Sequence, residues 1–262
     1  MSRASSRASS GVAETVKTVV YAVVIALFIR TFFYEPFSIP SGSMVPTLLI
    51  GDYLFVSKFS YGYSRYSLPF SLPLIPDRVF FTEPKRGDVV VFKLPRDPSI
   101  DFIKRIIGLP GDTIQVKDSL LYINNQPVTR ETVSSFNDSG LGTAHATLYM
   151  ETLPNGVRHQ IVQEDADGID CTTVRFQDTQ YCTMNNTAPF TVPPGHYFMM
   201  GDNRDNSADS RDPTSGVGYV PVENLVGRAE FIFYSTDGNA RLWEVWNWPF
   251  TVRYDRLLTG IH

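Results

Sequence analysis

The hydrophobic pattern separates one long apolar segment near the N-terminus from a series of short apolar runs that follow it. Residues 19–29 form an uncharged apolar stretch of 11 residues, and apolar character continues past Arg30 to Tyr34. A membrane-spanning helix needs about 20 residues, a length that the segment reaches when Lys17 and Arg30 extend their charged ends toward the two interfaces. The serine-rich tail before it carries three basic residues and one acidic residue, which predicts a cytoplasmic N-terminus and a transported remainder.

Three interpretations of this segment compete. A cleaved signal peptide shows small residues after its apolar run, whereas residues 32–37 read Phe-Phe-Tyr-Glu-Pro-Phe. A buried core helix would need flanks different from the charged ones present here. We therefore favour an uncleaved signal-anchor, with a cytoplasmic tail at residues 1–17 and a single transmembrane helix at residues 18–34.

Strand-like patterns dominate the chain beyond residue 35. β-Branched and aromatic runs bounded by Gly, Pro and Asp predict strands at residues 51–58, 87–93, 101–107, 113–123, 195–200 and 227–234. Since no long pattern with a period of 3.6 follows the anchor, we predict a mainly β fold with an antiparallel-sheet core. The polar, Thr-, Asn- and Asp-rich middle predicts an inserted β-rich subdomain at residues 113–196, which divides the core into residues 35–112 and 197–262.

Composition narrows the class of protein. The chain of 262 residues is 43% hydrophobic and 19% charged, which excludes disorder for most of its length. A mean hydropathy of −0.10 leaves room for only one strongly apolar segment, so a protein with many membrane spans is excluded. A net charge of −4 gives no indication of nucleic-acid binding.

The two cysteines fit an exported domain. Cys171 and Cys182 are 11 positions apart in a Gly-, Asp- and Thr-rich stretch. In an oxidising compartment, a disulfide that closes so short a loop would contribute about 3 kcal/mol to stability. Two unpaired thiols are the alternative.

Two further apolar stretches have the character of a membrane interface. Residues 66–76 are apolar and broken by prolines, and residues 242–250 contain all three tryptophans. Tryptophan favours the bilayer interface, and a soluble domain rarely exposes so much apolar surface. Burial in the core or in a dimer contact is an equally open interpretation of both stretches.

Familiar metal-binding and nucleophile patterns are absent from the sequence. No metal-ligand spacing involves any of the four histidines, His145, His159, His196 and His262. The phosphate-binding G-x-x-x-x-G-K-[ST] loop, the S-x-x-K and K-T-G pair and the G-x-S-x-G elbow are also missing. We therefore predict no metal ion and no cofactor, while spacing alone leaves a Ser-His-Asp triad open.

A Ser-Gly-Ser turn directly after the anchor is the first stretch that can carry chemistry. Pro40 and Pro46 restrict the backbone on both sides, and Gly42 permits a sharp turn between the hydroxyls of Ser41 and Ser43. Such a turn can present the Ser43 hydroxyl outward, with backbone N–H groups near it. By itself, Ser-Gly-Ser is most often a plain loop.

The predicted strand at residues 101–107 holds the second candidate. Alternation places Lys104 on one face with Phe102 and Ile106, while Arg105 points the other way. Desolvation between apolar neighbours would lower the pKa of Lys104 toward neutrality and suit it to general-base catalysis. An edge-strand lysine that protects the sheet from association is the structural alternative.

The third candidate stretch, residues 200–212, is dense in Asp and Asn. A calcium loop would need the D-x-[DN]-x-[DN]-G pattern, which no window here provides. A network of ion pairs and turn hydrogen bonds is the more natural interpretation, with Ser207 free to orient another group.

Together these stretches resemble the bacterial type I signal peptidases, or leader peptidases, which are membrane-anchored serine–lysine proteases. The similarity rests on residues 40–44, 86–92, 104–112 and 201–207, which follow the anchor in that order. It implies that Ser43 is the nucleophile and Lys104 the general base. It also implies a mainly β catalytic core interrupted by a non-catalytic insertion.

The resemblance assigns supporting roles as well. The Ser43 N–H and the Ser41 hydroxyl would form the oxyanion hole, and Ser207 would orient the lysine amine. Ion pairs that shape the site would come from Arg105, Asp202, Asp209 and Arg211. Two shallow apolar substrate pockets would be lined by Phe37, Ile39, Met44, Leu48, Leu54, Val91 and Ile103.

The implied partners are preprotein signal peptides with small residues at the first and third positions before the cut, the lipid bilayer and, by proximity, the translocation machinery. The implied location is the bacterial inner membrane, with the catalytic domain on the periplasmic face. The chain departs from the family pattern at residues 212–216, which intervene before Gly218, and in showing one span where some members have two. A self-cleaving repressor-type serine–lysine protease and an anchored periplasmic binding or scaffold protein are the alternatives.

Overall fold

The computed structural model describes residues 5–68, 71–138, 143–164, 179–212, 215–237, 244 and 246–261. Its first element is the helix α1 (Ser5–Phe32). Within α1, the apolar segment Gly11–Phe32 reaches a mean hydropathy of 2.0, and all of its residues except Thr31 are exposed. At 1.5 Å per residue, these 22 residues rise about 33 Å, enough to cross a bilayer. The helix begins well before residue 18, so the predicted tail and span form one continuous element.

Strands make up most of the chain after α1, as predicted. Their bounds are β1 (Tyr34–Ser38), β2 (Asp52–Ser57), β3 (Val89–Leu94), β4 (Asp97–Gly108), β5 (Thr113–Lys117), β6 (Leu120–Ile123), β7 (Gln126–Pro127), β8 (Thr129–Asp138), β9 (Thr143–Thr152), β10 (Arg158–Glu164), β11 (Phe190–Thr191), β12 (His196–Met200), β13 (Tyr219–Pro221) and β14 (Leu225–Ser235). Two short helices, α2 (Thr179–Asn185) and α3 (Trp248–Thr251), complete these elements. The mainly β, antiparallel fold is therefore confirmed.

A seven-stranded antiparallel sheet in the order β1-β2-β14-β3-β4-β12-β13 forms the centre of the molecule. Both of its faces are covered, because alternate residues of β3 enter different core clusters. Val89 and Val91 pack with Leu54 and Ile232 on one face, whereas Val90 and Phe92 pack on the other. Burial on both faces explains why residues 87–93 read as an unbroken apolar run.

The middle of the chain forms two smaller sheets, β11-β5-β6-β7 and β10-β9-β8. The first shares a core with the large sheet, since Ile114 and Leu121 pack against Ile107 and Phe198. The predicted single strand at residues 113–123 is in fact the hairpin β5–β6, because Asp118 and Ser119 take positive φ values of 46° and 63° and turn the chain. The domain boundaries at residues 112 and 196 fall close to the ends of this insertion and stay a prediction.

The cysteine and membrane-facing predictions fall partly outside the described residues. Cys182, buried on α2, is disulfide-bonded; Cys171 lies outside the described residues, so the pairing stays a prediction. Of residues 66–76, Tyr66 is in the core whereas Leu74 is exposed.

The tryptophan-rich stretch is likewise divided. Trp246 and Phe250 are exposed, whereas the Trp248 ring lies 5.3 Å from that of Tyr234. Trp243 lies outside the described residues. Residues 66–76 therefore combine a core residue with exposed apolar ones, whereas the described part of residues 242–250 is exposed or half-buried.

Candidate active site

The Ser-Gly-Ser turn connects β1 to β2 and is held from both ends. Ile39 exchanges backbone hydrogen bonds with the start of β2, its N–H donating to the Asp52 carbonyl at 2.9 Å and its carbonyl accepting from Gly51 at 3.1 Å. The next residues after Ser43, Met44 and Val45, are fully buried and anchor the turn in the core. The turn therefore holds the Ser43 side chain in place, with only 8% of the residue exposed.

Lys104 reaches Ser43 from β4, on which it lies opposite Val90 of β3. Its Nζ is 2.5 Å from Ser43 Oγ and donates a second hydrogen bond to the Ile103 carbonyl at 3.0 Å. The Nζ also lies 5.5 Å from the centre of the Phe102 ring, as expected from the alternation. Lys104 is 3% exposed, so the amine is held against the serine hydroxyl in a site with little water.

Burial lowers the pKa of Lys104 to about 8. The negative charges of Asp209 and Asp202 oppose this shift, and the positive charge of Arg211 adds to it. Because the neutral form of a lysine is the proton acceptor, a pKa near 8 leaves a useful fraction of the amine ready to act as a base near neutral pH. The environment of Lys104 is therefore the one that general-base chemistry needs.

The four predicted ion-pair residues meet as two buried pairs. Arg105 donates to both oxygens of Asp202, at 2.9 and 2.7 Å, and Arg211 contacts Asp209 at 2.8 Å. Burial would raise the pKa of Asp202, but the Arg105 guanidinium holds it below its ordinary value. Both carboxylates therefore stay charged beside Lys104 and give it a fixed electrostatic surrounding.

Asn203 also supports the turn, although no sequence pattern singled it out. Its backbone N–H donates to the Ser43 carbonyl at 3.1 Å, and its side-chain amide donates to the Gly42 carbonyl at 3.2 Å. Gly201 allows this approach, because a Cβ there would lie 2.4 Å from the Ser43 carbonyl oxygen and 2.2 Å from Ser207 Oγ. The loop at residues 201–211 thus holds the turn from behind.

Ser207 and Ser41 lie at the site without the predicted contacts. The Ser207 hydroxyl is buried and makes no hydrogen bond within the described part of the chain, so the expected bond to Lys104 is not formed in this structure. Ser41 is exposed on the wall of the cleft. Its role in an oxyanion hole concerns a bound substrate and stays a prediction.

A cleft of about 720 Å³ opens over Ser43 and Lys104. Four of the predicted pocket residues line it, namely Phe37, Ile39, Val91 and Ile103. The other lining residues include Ile50, Phe102, Asn203, Asn206 and Ala208, which were not predicted.

The other three predicted pocket residues, Met44, Leu48 and Leu54, do not line the cleft in this structure. All three are 0% exposed and pack together in the core beneath the cleft. In this structure they pack beneath the residues that line the cleft and support them, and their predicted contact with substrate stays a prediction.

Known proteins are similar in sequence to this chain across most of its length. The model of the family described as signal peptidase, peptidase S26, matches residues 12–234. Signal peptidase I of Rickettsia typhi is 44% identical over 211 residues, which cover 79% of this chain and 74% of that protein. Signal peptidase I of Rickettsia massiliae is 42% identical over 219 residues, with the same coverage.

A solved structure of a signal peptidase I from Enterococcus faecalis is also similar to this chain. The two are 28% identical, with a TM-score of 0.29, and the match covers 56% of this chain and 97% of the other. With a family model spanning residues 12–234 and relatives above 40% identity, the chain belongs to the signal peptidase family, peptidase S26.

Proposed function

We propose that the chain is a membrane-bound serine endopeptidase that removes N-terminal signal peptides from exported preproteins, with Ser43 as nucleophile and Lys104 as general base. The observation that carries the residue assignment is the 2.5 Å contact between Lys104 Nζ and Ser43 Oγ on the floor of a cleft. Family membership and relatives named signal peptidase I support the reaction.

The reaction follows from the geometry. Neutral Lys104 accepts the hydroxyl proton as Ser43 Oγ attacks the scissile carbonyl carbon, and the resulting ammonium returns the proton to the leaving amine. The acyl-enzyme is then hydrolysed by a water molecule that Lys104 deprotonates, which releases the signal peptide and frees Ser43. The oxyanion is stabilised by the Ser43 N–H and the Ser41 hydroxyl, and one such donor contributes about 3 kcal/mol.

Substrate binds as an extended strand along β4. Among the residues that the structure describes, residues 97–104 of β4 pair with β3 alone, which leaves their other backbone edge without a strand beside the cleft. A peptide added to this edge directs alternate side chains to the same side. The first and third residues before the cut therefore point into the cleft walls formed by Ile39, Val91 and Ile103, which favour small apolar side chains such as alanine.

The active site lies at the membrane surface. Ser43 follows the end of α1 by 11 residues, and aromatic contacts attach the helix end to the domain: the Phe32 ring lies 5.7 Å from that of Tyr63, and the Tyr34 ring 5.5 Å from that of Phe59. We assign α1 to the bacterial inner membrane with its N-terminus in the cytoplasm and the domain on the periplasmic side, next to the bilayer and the translocation machinery. The cleavage point of a signal peptide emerges from the peptide's own apolar helix at this depth.

Cleavage of a preprotein by the full-length protein in detergent tests the proposed function. The substrate carries an Ala-x-Ala site, and a matched preprotein carries large residues at the first and third positions before the cut. We expect a single cut directly after the second alanine, located by mass spectrometry, and no cut in the matched preprotein. A folded protein that leaves both substrates intact would instead indicate an anchored binding or scaffold protein.

A further inference from the structure

The loop at residues 201–211 is held by the inserted segment as well as by the large sheet. Asp205, on this loop and 9% exposed, accepts hydrogen bonds from the Gln163 side chain at 2.5 Å, the Glu164 N–H at 2.7 Å and the Asn185 side chain at 2.5 Å. Gln163 and Glu164 belong to β10, and Asn185 ends α2. Three donors from two elements of the insertion therefore converge on one carboxylate.

Backbone pairing reinforces this attachment on both sides of Asn203. The Val162 N–H of β10 donates to the Asp202 carbonyl at 2.9 Å, and the Arg204 N–H donates to the Val162 carbonyl at 2.9 Å. Since Asn203 is the residue that donates to the carbonyls of Gly42 and Ser43, β10 contacts the segment that holds the nucleophile's turn.

A buried ion pair ties β9 to the same segment. Arg204 donates to Glu151 at 2.6 Å, and the His159 ring of β10 lies 3.3 Å from the same carboxylate oxygen. Each of these three side chains is at most 3% exposed. Removing one partner of such a pair leaves a buried charge uncompensated, so the contact strongly favours the observed position of the loop.

We propose that β9, β10 and α2 position the nucleophile for the cleavage reaction, with Asp205 as the positioning residue that acts through Asn203 on the Ser43 turn. The proposal rests on the proposed function and extends it. The insertion, expected to be non-catalytic, then contributes to turnover without touching substrate. Its effect is on the placement of Ser43 rather than on the apolar part of the cleft wall, which Phe37, Val91 and Ile103 form on β1, β3 and β4.

The kinetics of Asp205→Ala show whether Asp205 positions Ser43 or only stabilises the fold. Misplacement of a reacting group lowers turnover steeply, so we expect kcat to fall about 10- to 100-fold. KM should change much less, because the apolar wall residues Phe37, Val91 and Ile103 lie on other elements. Asp205→Asn keeps one acceptor oxygen for the Gln163 side chain and the Glu164 N–H and loses only the bond from Asn185, so it should recover part of kcat. Glu131→Ala, which removes an exposed ion pair of the same small sheet, is the matched control and should keep wild-type kinetics.

A double-mutant cycle tests whether Asp205 acts through Asn203. The kcat losses of Asp205→Ala and Asn203→Ala should overlap, so that the double variant loses little more than Asn203→Ala alone. Fully additive losses, or an Asp205→Ala variant with wild-type kcat, would overturn the proposal.

Hydrogen–deuterium exchange gives a readout that needs no turnover. In full-length Asp205→Ala, exchange should rise in peptides covering residues 39–46 and 201–205 and stay unchanged in Glu131→Ala. If exchange at the Ser43 turn is unchanged, the proposed coupling is wrong even in an active enzyme. If exchange rises but the wild type cleaves nothing, the coupling stands and the proposed function fails.

Discussion

Lys104 Nζ lies 2.5 Å from Ser43 Oγ, although the two residues are 61 positions apart and belong to different elements. Ser43 is held in a turn between β1 and β2, and Lys104 projects from the middle of β4, so the contact depends on how the sheet is assembled. Both residues are more than nine-tenths buried. A fixed contact of this kind, shielded from solvent, suits the nucleophile and base that we propose.

The pH dependence of cleavage should report the state of Lys104. Burial lowers the pKa of Lys104 to about 8, and only the unprotonated amine can accept the serine proton. We therefore expect kcat/KM to fall about tenfold per pH unit below that pKa and to level off above it. With a peptide substrate that has no titratable groups, the pH dependence reports the enzyme alone. A midpoint near 10.4, the ordinary lysine pKa, would contradict the assignment.

Gly201 should resist substitution for a purely steric reason. In Gly201→Ala the new methyl group would meet the Ser43 carbonyl oxygen and the Ser207 hydroxyl at well under van der Waals distance, which forces the loop away from the turn. We expect a strong loss of kcat with a lowered melting temperature. Gly156→Ala is the control, since Gly156 has a positive φ of 85° but open space around it. It should lose some stability through backbone strain and keep its activity.

Leu54 and Ile103 should respond differently to truncation, because one lies in the core and the other lines the cleft. Leu54→Ala should lower the free energy of unfolding by about 2–5 kcal/mol while the preference for alanine before the cut is kept. Ile103→Ala should enlarge the cleft and admit larger side chains. Denaturation curves and cleavage of substrates that vary at the first and third positions distinguish the two. If the preference changed in Leu54→Ala but not in Ile103→Ala, Leu54 rather than Ile103 would line the substrate pocket.

The sequence was most informative where a local residue pattern is compatible with a single type of secondary structure. The apolar run predicted α1, the β-branched run at residues 87–93 predicted β3, and alternation placed Lys104 among apolar neighbours. These features depend on local chemistry. The insertion was predicted to be β-rich, but the positions of β8–β10 were not assigned, because their polar sequences resemble loops.

Other features depend on contacts between distant segments. The alternation of side chains could not predict that Lys104 lies next to Ser43. That pairing was predicted only from the resemblance to a family. Asn203 was missed because its role depends on which turn the loop approaches. The sequence also could not show that Met44 is buried beneath the cleft, because an apolar residue there has the same sequence signal as one on the cleft wall.

The central claim is that Ser43 and Lys104 act together on the scissile bond, and single-turnover cleavage of an Ala-x-Ala preprotein by Lys104→Ala tests it most directly. Wild type, Lys104→Ala and Ser43→Ala are compared, with thermal melting of each as the check on folding. The account predicts cleavage by wild type alone and variants that melt close to the wild-type temperature. Near-native cleavage by a folded Lys104→Ala would contradict it.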